Sequence, residues 1–278
     1  MIIVKTQREI DLMREAGRVT AEAMEVGGAE VRPGVSTKHI NDTIERFIRS
    51  KGGKPSFLHY SGYPASACIS INDQVIHGIP SAKRIIEDGD LVSIDIGVLL
   101  NGYHGDMART FGAGHIRSED QKLMDVTRES FWEAMKVARV GYRLGDIGAA
   151  VSAHAHRYGF GVVYDYVGHG VGAQLHEEPD VPTYGIPGKG SRLVAGMTIA
   201  VEPMINAGTP DVRVLRDGWT VVTKDGKKSA HYENTILIRD DEPLILTSLE
   251  RTGPYVRRKC LRGCSTTTHH DGMRKRRF

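Results

Sequence analysis

The chain of 278 residues is long enough to bury a full hydrophobic core, and its 40% hydrophobic and 26% charged residues are ordinary for a globular protein. No apolar run approaches the length of about 18 residues that a membrane span needs, and the opening MIIVKTQREI lacks the layout of a signal peptide. Three cysteines make no even disulfide framework, which suits a reducing compartment. Together these features predict a cytoplasmic protein with no membrane partner.

The net charge of +3 is unevenly distributed along the chain. Residues 250–278 hold nine Lys or Arg against two acidic residues, whereas residues 1–249 hold 28 Lys or Arg against 32 Asp or Glu. We therefore expect a single domain over residues 1–249 and a basic, low-complexity, disordered tail over 250–278, which could touch the ribosome or another polyanion. The tail could equally be an extension with no role.

The first segment carries the signals of two helices. Thr6 and Glu9 form a capping box, which predicts a helix that runs to about Gly27. Ser36 or Thr37 begins a second helix that ends at residues 52–53, a Gly-Gly pair.

The next segment, LVSIDIGVLLNGYHGDMARTF, predicts a β-hairpin. Its alternating runs flank Asn101-Gly102, the strongest short-range signal for a tight turn between antiparallel strands. Leu100 then faces Tyr103, and counting back along both strands places Asp95 opposite Ala108. Asp106 is thus the diagonal neighbour of Asp95 on one face, with Cα atoms roughly 7 to 8 Å apart.

Two carboxylates this close favour a cation between them. Paired hydrolytic metal ions lie about 3.5 to 4 Å apart, a separation that Asp95 and Asp106 could bracket. The alternative is a pair of surface aspartates, one of them bridged to Arg109. Arg109 has the opposite parity and should point to the other face, which argues against that alternative.

The second half repeats the order of helices followed by strands. A third helix begins at Ser118 and ends before Gly141, and Asp146 caps a fourth that ends near Gly159. Strand patterns follow in MTIAVEPMIN, GWTVVT and HYENTILIRD. This order predicts an α+β fold with two similar halves that face each other, and a site between them would draw residues from both.

Seven segments, in this order, resemble the type I methionine aminopeptidases: SINDQVIHGIP, SIDIG, HGDMART, VGHGVG, LHEEP, AVEPMIN and HYENT. The resemblance covers roughly residues 2–249. It implies the pita-bread fold, in which two pseudo-symmetric α+β halves surround a central antiparallel β-sheet. It also implies a monomeric, bacterial-type enzyme that removes the initiator methionine from nascent chains whose second residue is small.

The resemblance further implies two divalent cations, Co, Mn or Fe, held by five ligands: Asp95, Asp106, His169, Glu202 and Glu233. In the family, Asp106 and Glu233 would bridge both cations, Asp95 would chelate one, and His169 with Glu202 would complete the other. Four carboxylates and one imidazole offer no soft thiolate, which fits such ions. Hydroxide bound between the cations would attack the first peptide bond, and Glu202 would accept the proton.

Other family positions concern the substrate. The resemblance assigns His77 to a hydrogen bond with the scissile amide and His176 to the tetrahedral oxyanion. The methionine side chain should enter an apolar pocket with walls at Tyr60, Tyr63, Cys68, Leu175 and Trp219. Trp219 faces this pocket only if the loop at Asp225-Gly226 is longer than a strict two-residue hairpin or is bulged.

Two further features have structural interpretations. His104 shares the face of Asp106, but the family does not use it as a ligand, so we expect a structural role or a role in supporting the ligands. The glycines of VGHGVG resemble a phosphate loop, yet the proline-bearing LHEEPDVP follows instead of a helix. Close backbone approach around His169 accounts for them better, and no nucleotide is expected.

Two rival functions stay open at this point. One is a proline-specific aminopeptidase of the same fold, although members of that branch usually carry an extra amino-terminal domain. The other is a non-catalytic binding protein on the same fold, against which the complete ligand set argues. A peptide assay separates both from a methionine aminopeptidase.

Overall fold

The computed structural model describes residues 1–249, and the predicted tail at 250–278 lies outside the described residues. Within residues 1–249 no helix is long and apolar enough to cross a membrane. The described chain forms four α-helices, α1 (Gln7–Ala29), α2 (Thr37–Ser50), α3 (Ser118–Met135) and α4 (Leu144–Arg157).

The strands of the described residues are short, apart from one long hairpin, and every pair among them is antiparallel. They are β1 (Lys54–Pro55), β2 (Cys68–Ile71), β3 (Gln74–Ile76), β4 (Leu91–Leu100), β5 (Tyr103–Gly112), β6 (Gly161–Val162), β7 (Gly168–Gly170), β8 (Glu177–Val181), β9 (Thr198–Val201), β10 (Met204–Asn206), β11 (Val212–Val214), β12 (Val221–Thr223), β13 (Ser229–His231), β14 (Asn234–Leu237) and β15 (Leu244–Ile245).

The strands join in four groups. In the first half, β1 and β2 pair with one edge of β4 and β5 pairs with the other. In the second half, the largest group has the order β15-β14-β9-β7-β8. Two three-stranded groups, β13-β10-β6 and β11-β12-β3, complete the described sheets, and the second of these joins β3 from the first half to β12 from the second.

The predicted helix starts in the first half are confirmed. The Thr6 hydroxyl accepts a hydrogen bond from the Glu9 N–H, and the Glu9 carboxylate accepts from the Thr6 N–H at 2.7 Å. Helix α1 continues two residues beyond the predicted end at Gly27. Ser36 caps α2, because its hydroxyl accepts from the His39 N–H.

One helix boundary in the second half, the start of α4, needs a correction. Asp146 does not cap α4 from outside: the helix begins at Leu144, and the Asp146 carboxylate reaches back to accept from the Arg143 N–H at 2.8 Å. Helix α3 ends at Met135, in agreement with the predicted end before Gly141. The chain turns there, and the Val140 N–H donates to the Arg239 carbonyl, a tertiary contact that replaces a helical one.

The predicted hairpin register is confirmed residue by residue. Leu100 pairs with Tyr103, Asp95 with Ala108 and Gly97 with Asp106. Asn101 and Gly102 have φ values of 52° and 85°, as a type I′ turn requires. The two aspartates therefore lie diagonally on one face of the ladder.

Each half buries its own apolar core. In the first half, α1 and α2 pack on the face of β4 opposite Asp95, with Met24, Ile44, Ile69, Ile94 and Ile96 fully or almost fully buried. In the second half, α3 and α4 cover β9, β10 and β14, with Phe131, Ile147, Ile199, Ile205 and Ile236 fully buried. Because helices cover the outer faces, the inner faces of both halves are left to form a shared site.

Candidate metal centre

The hairpin supplies the first two acidic groups of the centre. Asp106 is held by its backbone: its N–H donates to the Thr235 hydroxyl at 3.0 Å, and that hydroxyl donates to the Asp106 carbonyl at 2.9 Å. Thr235 lies on β14, so this pair of hydrogen bonds fixes the hairpin against the second half. The Asp106 side chain is 5% exposed.

His169 on β7 supplies the imidazole. Its Nδ1 lies 2.9 Å from the Gly170 carbonyl oxygen, which can only accept, so Nδ1 carries the hydrogen and Nε2 presents a lone pair. Nε2 lies 3.7 Å from Asp106 Oδ2 and 3.7 Å from Glu202 Oε1. The imidazole therefore faces acidic groups from both halves with the nitrogen that can bind a metal ion.

The glycines beside His169 allow the backbone to approach its neighbours closely. A Cβ at Gly168 would lie 2.3 Å from the Ala200 carbonyl oxygen, and one at Gly170 would lie 2.4 Å from the Glu178 carbonyl oxygen. The interpretation of VGHGVG as a site of close backbone packing is thus confirmed.

Glu202 and Glu233 come from breaks between strands. Glu202 follows β9, and Glu233 lies between β13 and β14. The Glu233 N–H donates to the Ala108 carbonyl at 2.9 Å, and its own carbonyl accepts from Arg109 at 2.5 Å. Arg109 also stacks over the Tyr232 ring at 3.8 Å, so it anchors the Glu233 backbone and forms no bridge to Asp106.

The side chains converge in two overlapping groups. Ligand atoms of Asp106, His169 and Glu233 lie within 4.8 Å of one another, and so do those of Glu202, His231 and Glu233. Asp95 belongs to neither group but lines the same cavity. Sequence reasoning missed His231, although it stands two residues before Glu233 in the HYENT segment and strand periodicity could have placed both on one side.

The ionised forms of the acidic groups in this cluster are disfavoured. Burial raises the pKa of Asp106 to about 7. Burial, followed by repulsion from Asp106, raises the pKa values of Asp95, Glu202 and Glu233 well above their usual range. Buried oxygens of Asp95, Asp106 and Glu233 accept no hydrogen bond. Acidic oxygens that are buried together without partners fit divalent cations, which would supply the missing positive charge.

The acidic cluster lines a cavity of about 240 Å³. Its other walls include all seven residues expected at the substrate: Tyr60, Tyr63, Cys68, His77, Leu175, His176 and Trp219. Tyr63, Cys68 and Leu175 are at most 5% exposed and pack with Phe57 in an apolar cluster. Burial raises the pKa of the Cys68 thiol well above its usual value, so this side chain is neutral and adds to the apolar wall.

His77 is held by an unusual backbone conformation. Its φ of 57° lies in the left-handed region, which costs free energy for a residue with a side chain and is concentrated at functional sites. Its ring meets the rings of Tyr166 and Trp219 edge to face, with centroid distances of 5.8 and 6.3 Å. Burial lowers the pKa of His77 to about 4, so it is neutral at pH 7.

His176 lies at the exposed side of the cavity. Its Nδ1 lies 2.8 Å from the Tyr60 hydroxyl, and its ring centroid lies 3.9 Å from that of His169. Tyr60 therefore contacts a histidine expected in the chemistry, besides lining the cavity.

Trp219 reaches the cavity because the hairpin considered from the sequence does not form. Strand β12 pairs with β11 and β3, whereas β13 pairs with β10, so Asp225-Gly226 joins no two paired strands. Trp219 precedes β12 in a turn where the Asp217 carboxylate accepts from its N–H at 2.9 Å. Asp225-Gly226 therefore does not form a strict two-residue hairpin, which was the condition for Trp219 to face the pocket.

His104 has the structural contacts expected for it. Its Nδ1 lies 2.8 Å from the Ser56 hydroxyl, and its backbone N–H donates to the Gly172 carbonyl at 2.9 Å. It belongs to neither of the metal-binding groups found among residues 1–249.

Comparison with known proteins agrees with this geometry. The model of metallopeptidase family M24 matches residues 11–240. The chain belongs to this family. A methionine aminopeptidase of Clostridium perfringens is 50% identical over 250 residues, which cover 90% of this chain and 100% of that protein.

Solved structures of the M24 fold superpose on the chain. The crystal structure of methionine aminopeptidase from Rickettsia prowazekii has a TM-score of 0.88 and 40% identity, covering 89% of this chain and 100% of that one. A prolidase from Pyrococcus furiosus has a TM-score of 0.72 and 26% identity, and the match covers 90% of this chain and 66% of the prolidase chain. The predicted pita-bread fold is confirmed, and the chain is a metal-dependent peptidase.

Proposed function

We propose that this metallopeptidase is a methionine aminopeptidase that removes the initiator methionine from nascent proteins whose second residue is small. The observation that carries the proposal is that the acidic cluster lines the same cavity as an apolar and aromatic cluster that includes Tyr63, Leu175 and Trp219. A thioether side chain suits such walls because sulfur makes favourable contacts with aromatic rings. The peptide bond that follows would then lie beside the acidic cluster.

Two divalent cations are proposed for the cluster, with Asp95, Asp106, His169, Glu202 and Glu233 as their ligands. The donor set of four carboxylates and one neutral imidazole suits Mn, Fe or Co. Such cations would polarise the substrate carbonyl and lower the pKa of a bound water towards about 7. The residues of the chain supply the positioning and the proton transfers.

Glu202 is proposed as the acceptor of the proton that the attacking water loses. Its carboxylate is 12% exposed, and its Oε1 lies 3.7 Å from Nε2 of His169. With cations bound, the Glu202 carboxylate would be ionised and within reach of the attacking water, as a general base must be.

His77 and His176 are proposed to contact the scissile bond from its other side. A neutral His77 can donate to or accept from the amide without placing a second positive charge beside cations. For His176, donation by the Tyr60 hydroxyl to Nδ1 would leave Nε2 with the hydrogen, so that Nε2 could donate to the developing oxyanion. Tyr60 would thereby select the tautomer.

The cytoplasm, where nascent chains emerge, is the proposed compartment, and the monomer is the proposed form. The nine Lys and Arg of residues 250–278 support an electrostatic contact with ribosomal RNA, since segments rich in basic residues bind polyanions. This contact is a secondary part of the proposal and is independent of the catalytic cavity.

The test is a peptide assay with Met-Ala-Ser and Ala-Pro-Ala, run after dialysis against EDTA and again after adding Mn²⁺ or Co²⁺. We expect the protein to release free methionine from Met-Ala-Ser only after a cation has been added back. We expect no cleavage of Ala-Pro-Ala. Cleavage before proline would instead support a prolidase-like activity. Absence of cleavage with every cation would support a non-catalytic binding protein.

A further inference from the structure

His231 stands at the edge of the acidic cluster with no assigned role. It is 2% exposed, and its Nε2 atom is buried without a hydrogen-bond partner. The nearest acidic atom is Glu202 Oε2, at 3.5 Å. A buried ring nitrogen that points at a carboxylate beyond the range of a good hydrogen bond marks a contact that a small rotation would complete.

The backbone of His231 is fixed on both sides. Its N–H donates to the Thr110 hydroxyl at 2.8 Å, and that hydroxyl donates to the His231 carbonyl at 2.9 Å. On the other side, His231 pairs with Met204 across β13 and β10. The imidazole is therefore presented to Glu202 from a rigid position, which a group that orients another needs.

The two oxygens of Glu202 face different imidazoles. Oε1 lies 3.7 Å from Nε2 of His169, on the side of Asp106, whereas Oε2 lies on the side of His231. A carboxylate that can rotate about its last torsion exchanges these two oxygens. A hydrogen-bond donor that holds Oε2 prevents this rotation and leaves Oε1 directed at the acidic cluster.

We propose that His231 is a positioning residue that donates from Nε2 to Oε2 of Glu202 and thereby directs Oε1 at the cation shared with His169. Ligating carboxylates are commonly hydrogen-bonded in this way, and loss of the partner typically costs about 10- to 100-fold in metal affinity or activity. The proposal rests on the proposed metal centre and adds a residue to its support.

A direct role for His231 in binding the cation is the competing assignment. Its ring nitrogen, Glu202 and Glu233 lie within 4.8 Å of one another, a spacing that also suits a metal ion. The two roles differ in what they require: a positioning residue needs a hydrogen-bond donor near Oε2, whereas a ligand needs a lone pair bound to the ion itself.

Two variants test whether the site needs a polar group at position 231, and an NMR readout then separates positioning from ligation. His231→Gln keeps an N–H donor of similar reach, and His231→Leu fills similar volume without one. Calorimetric titration of EDTA-dialysed protein with Mn²⁺ should show affinity lowered by about 10- to 100-fold in the Leu variant and restored to within a few-fold by Gln. With Met-Ala-Ser and saturating Mn²⁺, the Leu variant should lose kcat and keep its KM.

The second readout is made on the unmodified chain, so it does not depend on the folding of a variant. In Co²⁺-loaded protein, hyperfine-shifted exchangeable imidazole N–H signals in the proton NMR spectrum count the histidines that bind the ion. We expect one such signal, from Nδ1–H of His169. Two signals would overturn the proposal in favour of direct ligation by His231.

The outcomes also separate this inference from the proposed function. If the unmodified protein binds no Mn²⁺ or Co²⁺, the metal centre itself is refuted. If it binds them and the Leu variant, shown to be folded by circular dichroism, binds them equally well, then only the role of His231 is refuted.

Discussion

Replacing Asp106 by Asn tests the electrostatic account of the cluster. Burial raises the pKa of Asp106 from 3.8 to about 7. Since one pKa unit corresponds to about 1.4 kcal/mol, ionised Asp106 costs the metal-free fold about 4 kcal/mol at pH 8. Asn carries no charge, so Asp106→Asn should be more stable than the unmodified protein in EDTA, by an amount of that order.

The pH dependence gives the sign of the effect. Folding raises the pKa of this acid, so its contribution to stability is intact below the unfolded pKa of about 4 and is lost as the pH rises through about 7. At pH 5.5 the folded form is protonated, and the cost is only about 2 kcal/mol. The advantage of the variant should therefore grow by about 2 kcal/mol between pH 5.5 and pH 8.

Urea unfolding in EDTA, followed by tryptophan fluorescence at both pH values, measures this difference. Histidines with lowered pKa values change stability with pH in both proteins, and their contribution largely cancels in the comparison. Asp180→Asn, at an exposed strand position, is the matched control and should change little. Excess Mn²⁺ should reverse the order, because the variant lacks an acidic ligand. An Asn variant that is no more stable in EDTA at pH 8, or an advantage that does not vary with pH, would refute the reasoning.

Three further changes test other parts of the site. Tyr60→Phe should lower kcat about 3- to 10-fold because it removes one hydrogen bond to His176, and it should leave the affinity for Mn²⁺ unchanged. A kcat equal to that of the unmodified protein would show that Tyr60 does not position His176. His176→Ala should lower turnover sharply while calorimetry still finds both cations bound, and full turnover would contradict its role. Gly168→Ala should lower the free energy of unfolding by about 1 to 3 kcal/mol in urea denaturation, because its Cβ meets the Ala200 carbonyl at 2.3 Å; an unchanged midpoint would show that the strand relaxes freely.

Local features of the structure could be predicted because short-range chemistry determines them. Asn101-Gly102 fixes the turn, the turn fixes the register of β4 and β5, and the register places Asp95 and Asp106 on one face. The capping box of α1 depends on two side chains three residues apart. Asp146 shows the limit of such signals, since an acidic residue in the first turn and one at the cap look alike in sequence.

The sequence by itself determined the donor chemistry, the hairpin register and, through its motifs, the kinship with methionine aminopeptidases. Tertiary structure alone decided which atoms meet: Arg109 at the Glu233 carbonyl and Thr235 at the Asp106 backbone across the two halves, and His231 beside Glu202 within the second half. The residues of each pair are tens to more than a hundred positions apart in the chain, and no hairpin joins the segments on which they lie. The distances in the first two pairs depend on how two separately formed cores pack against each other, and the third depends on how strands far apart in the chain pair; no local pattern encodes either.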